Sequence, residues 1–326
     1  LRVTPEAEAY VWASVQPSLG PVDLPIPEAA PLDPDRPVRV RIDNGAGGRP
    51  GLPVARAVLD LDALPPAAAR VVEWHLDADG TMGEAVPAAD AVVAYRYDPS
   101  IRPPTSAASP EVDVNAPDPA IDWRPLPVGH GLAFLGPELV GDQLLCGPSS
   151  LDLRLTCSAP DVDLEATLTE VRPDGWETFV QSGWLRAGLR HLDPGRSTPL
   201  VPQPTYRAED EAPLDARDPA TARVPIAVVV HRLRAGSRLA VRIEPPGGVQ
   251  PVWTFDALWP DGRHDGAPVE VGVAVGGVTP SVLRLPLLDL EGVLEPDELP
   301  PAGALRRQPS RPWWPGSPAV AGPPSS

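Results

Sequence analysis

An all-β fold, a sandwich of two antiparallel sheets, is predicted by three features of the sequence. Apolar and polar residues alternate with a period of two in Leu151–Thr156, Val162–Val171 and Thr178–Leu185, and such alternation gives a strand one apolar face and one solvated face. Turn-forming residues separate these runs at 158–161 and 172–175. The 48 prolines, beside a hydrophobic content of 42%, are typical of a β-rich domain with many turns. Because the apolar faces of such strands need a second layer to cover them, the sequence favours a sandwich.

The part of the chain before this central group is predicted to contain three strands between proline-rich segments. Residues 1–36 begin with a short helical pattern at 5–12 and continue as a linker in which frequent prolines prevent a long helix. Residues 99–127 form a long proline-rich crossing loop, and a loop of this length is expected to wrap over another surface. The predicted strands are Val38–Asp43, Val71–Leu76 and Ala91–Tyr97.

The part of the chain after the central group is predicted to complete the sandwich and to end in a disordered tail. A second loop, rich in proline, aspartate and alanine, covers residues 193–222. The tail, residues 291–326, is proline-rich and poor in apolar residues, so we expect Trp313 and Trp314 either to attach it to the sandwich or to be free. The predicted strands are Val224–Val230, Ser237–Ile243, Val269–Val275 and Ser281–Leu287.

The charge of the chain argues against two classes of partner. Its formal net charge is −17 at pH 7, whereas binding to nucleic acid or to an anionic membrane surface requires a basic patch. The sequence contains no run of about 18 apolar residues that would span a membrane, and no signal peptide is recognisable in the chain as given. These features favour a cytoplasmic location slightly and leave secretion open.

The two cysteines of the chain are predicted to be free. Cys146 and Cys157 lie at the two ends of one predicted strand region, and an extended strand separates its ends by ~3.3 Å per residue. This separation is too large for a disulfide. We therefore expect two buried thiols.

An ordered series of short motifs extends over residues 37–290. In order and spacing, these motifs resemble the C-terminal jelly-roll domain of the X-Pro dipeptidyl-peptidase and cocaine-esterase type (CocE/NonD) serine hydrolases. The resemblance implies that the sandwich is a galactose-binding-like jelly roll. The motifs are Trp74 to Leu76 with Asp79-Gly80, Tyr97 to Pro99, Gly141-Asp142, Gly147-Pro148, Ala159 to Leu164, Val171 to Gly175, Gly183 to Ala187, Arg234 to Leu239 and Trp253 to Asp256.

The resemblance implies a division of the chain and a role for it. The expected units are a proline-rich linker (1–36), the C-terminal edge of an α/β-hydrolase region with the crossing loop (37–130), the β-sandwich (131–290) and the tail (291–326). The sandwich is expected to be non-catalytic, to need no cofactor, and to pack on an α/β-hydrolase catalytic domain of the same or a separate chain. In that position it would help to shape the substrate pocket of a dipeptidyl-peptidase or acyl esterase.

Five residues are expected, from the resemblance, to be structural signatures. The turn before the second central run carries the carboxylates of Asp161 and Asp163. An arginine at a strand end can bond a carboxylate through two nitrogens, so we expect Arg186 to pair with this turn and to hold it against the neighbouring strand. The five residues are Asp161, Asp163, Gly183, Arg186 and Gly236.

No catalytic residue is predicted in the chain. The Gly-x-Ser-x-Gly motif of an α/β-hydrolase nucleophile is absent, and Ser149 has neither the trailing glycine nor a following helix. Of the five histidines, His130 has glycine on both sides, but no motif pairs it with a serine or an aspartate. An unusual esterase that uses Ser149 and His130 is a third hypothesis, and an activity-based serine probe would test it. His75 is expected to be a packed or edge residue of its strand, and His191, His231 and His264 are expected to be surface or strand-end residues.

A metal site is not predicted either. Asp161, Asp163 and Glu165 could suggest calcium, which takes several oxygen ligands. Side chains on one face of a strand are ~6.6 Å apart, which is too far for one cation without a loop to help. We therefore expect three solvated carboxylates.

Exposed tryptophans leave a second functional hypothesis open. Trp176 and Trp259 lie beside turns, where they could contact a ligand or a partner surface. The alternative function is therefore a stand-alone carbohydrate-binding jelly-roll module. Trp184 and Phe255 lie on strands with apolar neighbours and are expected to be core residues.

Overall fold

The structure is a computed structural model of the chain. It describes residues 31–42, 55, 57–98, 101, 121–247, 267–294, 298–303, 308–314 and 319–320.

The described residues form β-strands joined by turns and loops. Short 3₁₀ turns occur at Ala187–Leu189 and Ala208–Asp210. The strands are β1 (Val38–Ile42), β2 (Ala57–Leu61), β3 (Arg70–Leu76), β4 (Met82–Gly83), β5 (Ala91–Tyr97), β6 (Leu132–Glu138), β7 (Gln143–Cys157), β8 (Asp163–Val171), β9 (Trp176–Arg186), β10 (Ala220–Leu233), β11 (Arg238–Glu244), β12 (Val269–Val275), β13 (Val282–Asp289), β14 (Ser310–Pro312) and β15 (Ala319–Val320).

An eight-stranded sheet is organised around the 15-residue strand β7. Along one edge β7 pairs with β10, and along the other it pairs first with β13 and then with β12. Strands β3 and β5 add to β13 and β12, and the short strands β4 and β15 add to β3 and β5. All these pairings are antiparallel, so one long central strand holds two rows of shorter strands in a single sheet.

A five-stranded antiparallel sheet has the order β14-β9-β8-β11-β6. Its inner face and that of the eight-stranded sheet enclose one large apolar core. Leu153 contributes to this core from β7, Leu164 from β8 and Val241 from β11. The predicted all-β sandwich is therefore confirmed.

A small hairpin of β1 and β2 covers part of the outer face of the eight-stranded sheet. Ile42 of the hairpin packs against Leu144, Cys146 and Leu290, which point away from the main core. Cys146 and Cys157 are buried free thiols, as predicted. Burial raises the pKa of Cys146 to about 11, so its thiol is in the unreactive neutral form.

The five-stranded sheet differs from the prediction on its outer face, where a solvated surface was expected. Glu165, Thr167 and Thr169 of β8 are buried there. The segment 121–126 and the segment 308–314 pack over this face of the sheet, as the contacts of Trp123 with Phe179 and Arg311 show. Hydrophobic alternation predicts which face meets the core, but not what covers the other face.

The tail prediction also needs correction. Within the described residues, Ser310–Pro312 are strand β14 and pair with β9, so this part of the tail is ordered. Of the two possibilities for the tryptophans, the structure shows attachment, because the Arg242 guanidinium lies over the Trp313 ring.

The sheets continue across the expected unit boundary at residue 130. Strands β3 and β5, which lie before it, pair with β13 and β12, which lie after it. The loop 193–222 packs on the sandwich of its own chain, since Leu214 joins the core and the Ser150 hydroxyl donates a hydrogen bond to the Pro199 carbonyl.

Candidate functional site

The two residues of the esterase hypothesis are not brought together. Ser149 is fully buried within β7, and its hydroxyl has no hydrogen-bond partner in the described part of the chain. His130 lies in the turn before β6, where its Nδ1 is 3.0 Å from the Arg96 carbonyl oxygen. A nucleophile needs a base in hydrogen-bond contact and access to substrate. Ser149 has neither in this geometry.

The acidic turn after β7 is fixed by hydrogen bonds. Arg186 donates from Nε and Nη2 to the two carboxylate oxygens of Asp163, at 2.8 and 2.9 Å, so the expected bidentate pair is present. Asp161 instead accepts the backbone amides of Val162 and Gly188. Burial raises the pKa of Asp161, and hydrogen bonds from these amides oppose that rise. Asp163 and Asp161 therefore attach the turn between β7 and β8 to the end of β9 and to the 3₁₀ turn that follows it.

The three carboxylates that could suggest calcium, those of Asp161, Asp163 and Glu165, have different hydrogen-bond partners. Asp161 and Glu165 are buried rather than solvated, which corrects the prediction. Glu165 accepts the amide of Gly247 at 2.9 Å, while Asp163 is held by Arg186. Among the described residues, no group of three or more His, Cys, Asp or Glu side chains is arranged to hold a metal ion.

The two signature glycines occupy positions where a side chain is not accommodated. A Cβ atom at Gly183 would lie 1.9 Å from the carbonyl oxygen of Pro225, because β10 crosses directly over β9 there. Gly236 forms the β10–β11 turn with a φ of +79°, a conformation that side chains rarely adopt. Both glycines thus serve the packing of the sandwich.

Of the two tryptophans proposed for ligand contact, the structure describes Trp176. Trp176 begins β9 and is 39% exposed, whereas Trp259 and Phe255 lie outside the described residues. Trp184 pairs with Glu165 on the outer side of the five-stranded sheet and not in the main core. The carbohydrate hypothesis, which rests on Trp176 together with Trp259, therefore stays a prediction.

A buried polar network that the sequence did not predict connects the two sheets. His231 of β10 is 2% exposed, and its Nε2 donates to the carboxylate of Glu170 of β8 at 2.9 Å. The hydroxyl of Ser237 donates to the same carboxylate at 2.7 Å. The prediction that His231 is a surface or strand-end residue is therefore wrong. Because Ser237 contacts the carboxylate and not the imidazole, the network is a structural tie and not a nucleophile–base pair.

The charge of Glu170 is favoured by this network. Burial alone would raise its pKa, but the hydrogen bond and charge of His231, together with the bond from Ser237, lower it overall. A carboxylate with a lowered pKa stabilises the fold above its unfolded pKa, near 4.5, and this contribution is lost as the pH falls through the folded pKa.

We predict that Glu170→Gln lowers stability at neutral pH by about 1.5–3 kcal/mol, because a charged hydrogen-bond partner is removed from a buried site. Below about pH 4.5 the difference from the unmodified chain should shrink progressively, since the stabilisation by the Glu170 charge is lost as the pH falls towards and through its lowered folded pKa. Urea unfolding at pH 7, 5 and 3.5 would measure this convergence. A difference that is constant over this range would contradict the assignment of the acid-sensitive charge to Glu170.

A cleft of about 880 Å³ lies at the end of the sandwich where the β6–β7 and β10–β11 turns meet. Arg232 and Asp142 form an ion pair in its wall, and Asp142 also accepts the amide of Ala235. Its lining in the described part of the chain contains no Ser, Cys or His. The described lining of the cleft therefore lacks the serine or cysteine nucleophile and the histidine base of a serine or cysteine hydrolase.

The outer face of the eight-stranded sheet carries a row of charges. Glu73, Arg284, Asp152 and Arg223 form consecutive ion pairs across β3, β13, β7 and β10. Val71, in the same row of outward residues of β3 as Glu73, is 47% exposed. We call this region the open face and define it by these five residues. It combines four paired charges with the exposed side chain of Val71.

These features define an antiparallel β-sandwich in which Ser149 and His130 are not in contact. Residues 31–245 match the family described as the X-Pro dipeptidyl-peptidase C-terminal non-catalytic domain. The chain belongs to this family, and the predicted resemblance is confirmed. A search of curated proteins found no match.

Solved structures of three hydrolases show the same fold. A CocE/NonD family hydrolase from Staphylococcus aureus is 18% identical, with a TM-score of 0.52, over 72% of this chain and 39% of that chain. An aminopeptidase from the marine sediment archaeon Thaumarchaeota archaeon is 17% identical, with a TM-score of 0.53, over 72% of this chain and 39% of that one. An α-amino acid ester hydrolase is 18% identical, with a TM-score of 0.54, over 80% of this chain and 42% of that one. The chain thus spans about two fifths of the length of these structures.

The structure also bears on membrane insertion. Within the described ranges, no helix has the length and apolar character needed to cross a bilayer.

Proposed function

We propose that this chain is the C-terminal β-sandwich of a serine hydrolase of the X-Pro dipeptidyl-peptidase or acyl-esterase type. In this role it packs on an α/β-hydrolase catalytic domain and forms part of the wall of the substrate pocket. The observation that carries the proposal is the family match over residues 31–245, which covers β1 to β11. The reacting serine, histidine and aspartate belong to the catalytic domain.

The part of the open face around Val71 and Glu73 is the surface that best fits this catalytic domain. At the other end of that face, Arg223 already donates to the carbonyls of Thr198 and Pro199 in the loop 193–222. The opposite outer face, on the five-stranded sheet, is already covered by the segments 121–126 and 308–314 of the same chain. The hairpin of β1 and β2, the first described element of the chain, lies on the same side of the sandwich as the open face. A domain that precedes residue 31 is therefore best placed to dock on this side.

The ion pairs of the open face suit it to such a contact. The side chains of Arg284 and Asp152 are each 17% exposed, so their charges are paired and largely desolvated before any partner binds. The further desolvation cost when a partner covers them is therefore small. Burial of the exposed Val71 side chain would stabilise the complex.

The test compares three preparations: the catalytic region alone, this chain alone and the two together. We expect the reading frame upstream of Leu1 to encode a Gly-x-Ser-x-Gly segment. This chain alone should not hydrolyse X-Pro or acyl-ester substrates and should not react with a fluorophosphonate probe. Hydrolysis by the isolated chain, or a catalytic region whose kinetics do not change when the sandwich is added, would contradict the proposal.

We predict that Val71→Asp weakens the complex with the catalytic region about tenfold or more, because the new carboxylate would be buried without a partner at the interface. Isothermal titration calorimetry measures this affinity. Val278→Asp is the matched control, since Val278 lies in the turn between β12 and β13 and is 94% exposed. Equal loss of affinity in both variants would place the catalytic domain on a different surface.

A further inference from the structure

The segment 308–314 adds a strand to the free edge of β9. Ser310–Pro312 pair with Trp176–Thr178 in antiparallel register. The backbone amide of Phe179 donates to the Pro309 carbonyl, and the amide of Trp313 donates to the Gly175 carbonyl, both at 3.0 Å. The hydroxyls of Ser310 and Thr178 lie 2.8 Å apart. These contacts are those of a peptide bound by strand addition.

The side chain of Arg311 enters a specific pocket. Its Nε donates to the carboxylate of Glu177 at 2.9 Å, and its guanidinium carbon lies 3.6 Å from the centre of the Trp123 ring. Arg311 is 5% exposed and Glu177 is fully buried. A planar guanidinium stacks flat on a ring while its edge bonds a carboxylate, whereas a lysine ammonium has no planar group to stack.

The residues after Arg311 continue along the same face. The Arg242 guanidinium donates to the Trp314 carbonyl at 2.7 Å and lies 4.9 Å from the centre of the Trp313 ring. Arg242 also makes two hydrogen bonds to Glu177. Glu177 of β9 therefore accepts from two arginines, Arg242 of β11 in the same sheet and Arg311 of the segment.

We propose that the outer face of the five-stranded sheet is a binding groove for an extended arginine-containing peptide, and that residues 308–314 of this chain are its occupant. The edge of β9 binds the peptide backbone without regard to sequence. The pocket of Glu177 and Trp123 selects arginine, and Arg242 binds the two aromatic residues that follow. The proposal does not depend on the proposed function.

The occupant has a second effect on the fold. Trp123 lies at the end of the crossing loop 99–127, and it packs edge-to-face on Phe179 of β9 with the ring centres 6.4 Å apart. Arg311 covers the other side of this contact by stacking on Trp123. The bound segment thus holds the end of the crossing loop against the sandwich.

The experiment uses the full chain with a protease site inserted between Gly303 and Ala304. After cleavage, the segment 304–326 should remain bound through a non-covalent contact. Competition with a fluorescein-labelled synthetic peptide of residues 304–326 gives its affinity, and size-exclusion chromatography shows its retention. We expect Arg311→Ala to weaken binding about 10- to 100-fold, because a buried charged hydrogen bond and a stacking contact are both lost.

Arg307→Ala is the matched control, since it removes the same charge from the same segment. It should change the affinity by no more than about twofold. Equal weakening by both variants would show that the positive charge of the peptide is attracted to the acidic chain as a whole, whose net charge is −17. That result would overturn the proposal.

Amide hydrogen exchange on the uncut chain gives a test that does not depend on cleavage. Exchange at Phe179 and Trp313, whose amides bond across the groove, should accelerate about tenfold or more in Arg311→Ala and remain unchanged in Arg307→Ala. Unchanged exchange at both amides in Arg311→Ala would also overturn the proposal.

Discussion

Replacing Gly183 with alanine is expected to destabilise the chain by about 3 kcal/mol or more, at the upper end of the range for overpacking. The added Cβ would lie 1.9 Å from the Pro225 carbonyl oxygen and 2.8 Å from the Ile226 Cα. These are backbone atoms of β10, which pairs with β7 on both sides of this point. The strand cannot retreat without breaking that pairing, so the clash must be relieved by separating the sheets.

Thermal and urea unfolding of Gly183→Ala would measure this loss, and the melting temperature should fall by on the order of 10 °C. Gly141→Ala is the control, because a Cβ at Gly141 meets nothing within 4 Å and the backbone there is not left-handed. It should change stability by no more than about 0.5 kcal/mol. Similar losses in the two variants would mean that Gly183 is not a packing contact between β9 and β10.

The local part of the fold was predictable because strand periodicity is a property of neighbouring residues. The runs 151–156 and 178–185 lie within β7 and β9 as predicted, and the run 162–171 matches β8 except for its first residue. The length of β7 was not predictable, because Gly147-Pro148 is usually a break signal. In the structure, Gly147 adopts a φ of +141° and the strand continues past it. β10 pairs with β7 on both sides of this point, with residues 143–147 and 149–155, and so maintains the continuation.

The long-range part of the fold depends on contacts that no local pattern encodes. Nothing in the sequence of residues 91–97 shows that this strand adds to β12, about 180 residues further along the chain. Likewise, the isolated segment Ser310–Pro312 has no alternation from which a strand could be predicted. Its conformation follows from the edge of β9 and from the pocket around Glu177.

The structural role of the signature residues was predictable from the sequence, but not all of their hydrogen-bond partners were. Arg186 was expected to fix the acidic turn, and it pairs with Asp163. The role of Asp161, which accepts two backbone amides, depends on where Gly188 lies in space. His231 was missed because a histidine within an apolar strand gives no indication of a buried acidic partner. The one available signal was Glu170, a charged residue in the otherwise apolar and neutral end of β8.

Substituting Glu177 with glutamine is expected to cost about 3–5 kcal/mol, the range for breaking a buried ion pair by removing one partner. Glu177 is fully buried and accepts hydrogen bonds from two buried arginines, Arg242 and Arg311. For Arg242, burial works against the charge, but the carboxylates of Glu177 and Glu244 outweigh it and raise its pKa. Burial lowers the pKa of Arg311, and the charge of Glu177 opposes that change. Loss of the Glu177 carboxylate would leave both guanidinium groups without their main compensating charge.

Urea unfolding at low and high ionic strength would measure the loss in Glu177→Gln, which should change little with salt because the site is shielded from solvent. Glu84→Gln is the matched control, since Glu84 pairs with Arg70 on the surface, where the side chains are 59% and 65% exposed. That variant should lose no more than about 1 kcal/mol. Adding Arg311→Ala to Glu177→Gln should cost less than Arg311→Ala does alone, because Arg311 has then already lost its acceptor. Additive losses would mean that Glu177 and Arg311 are not energetically coupled, and the groove would not select arginine.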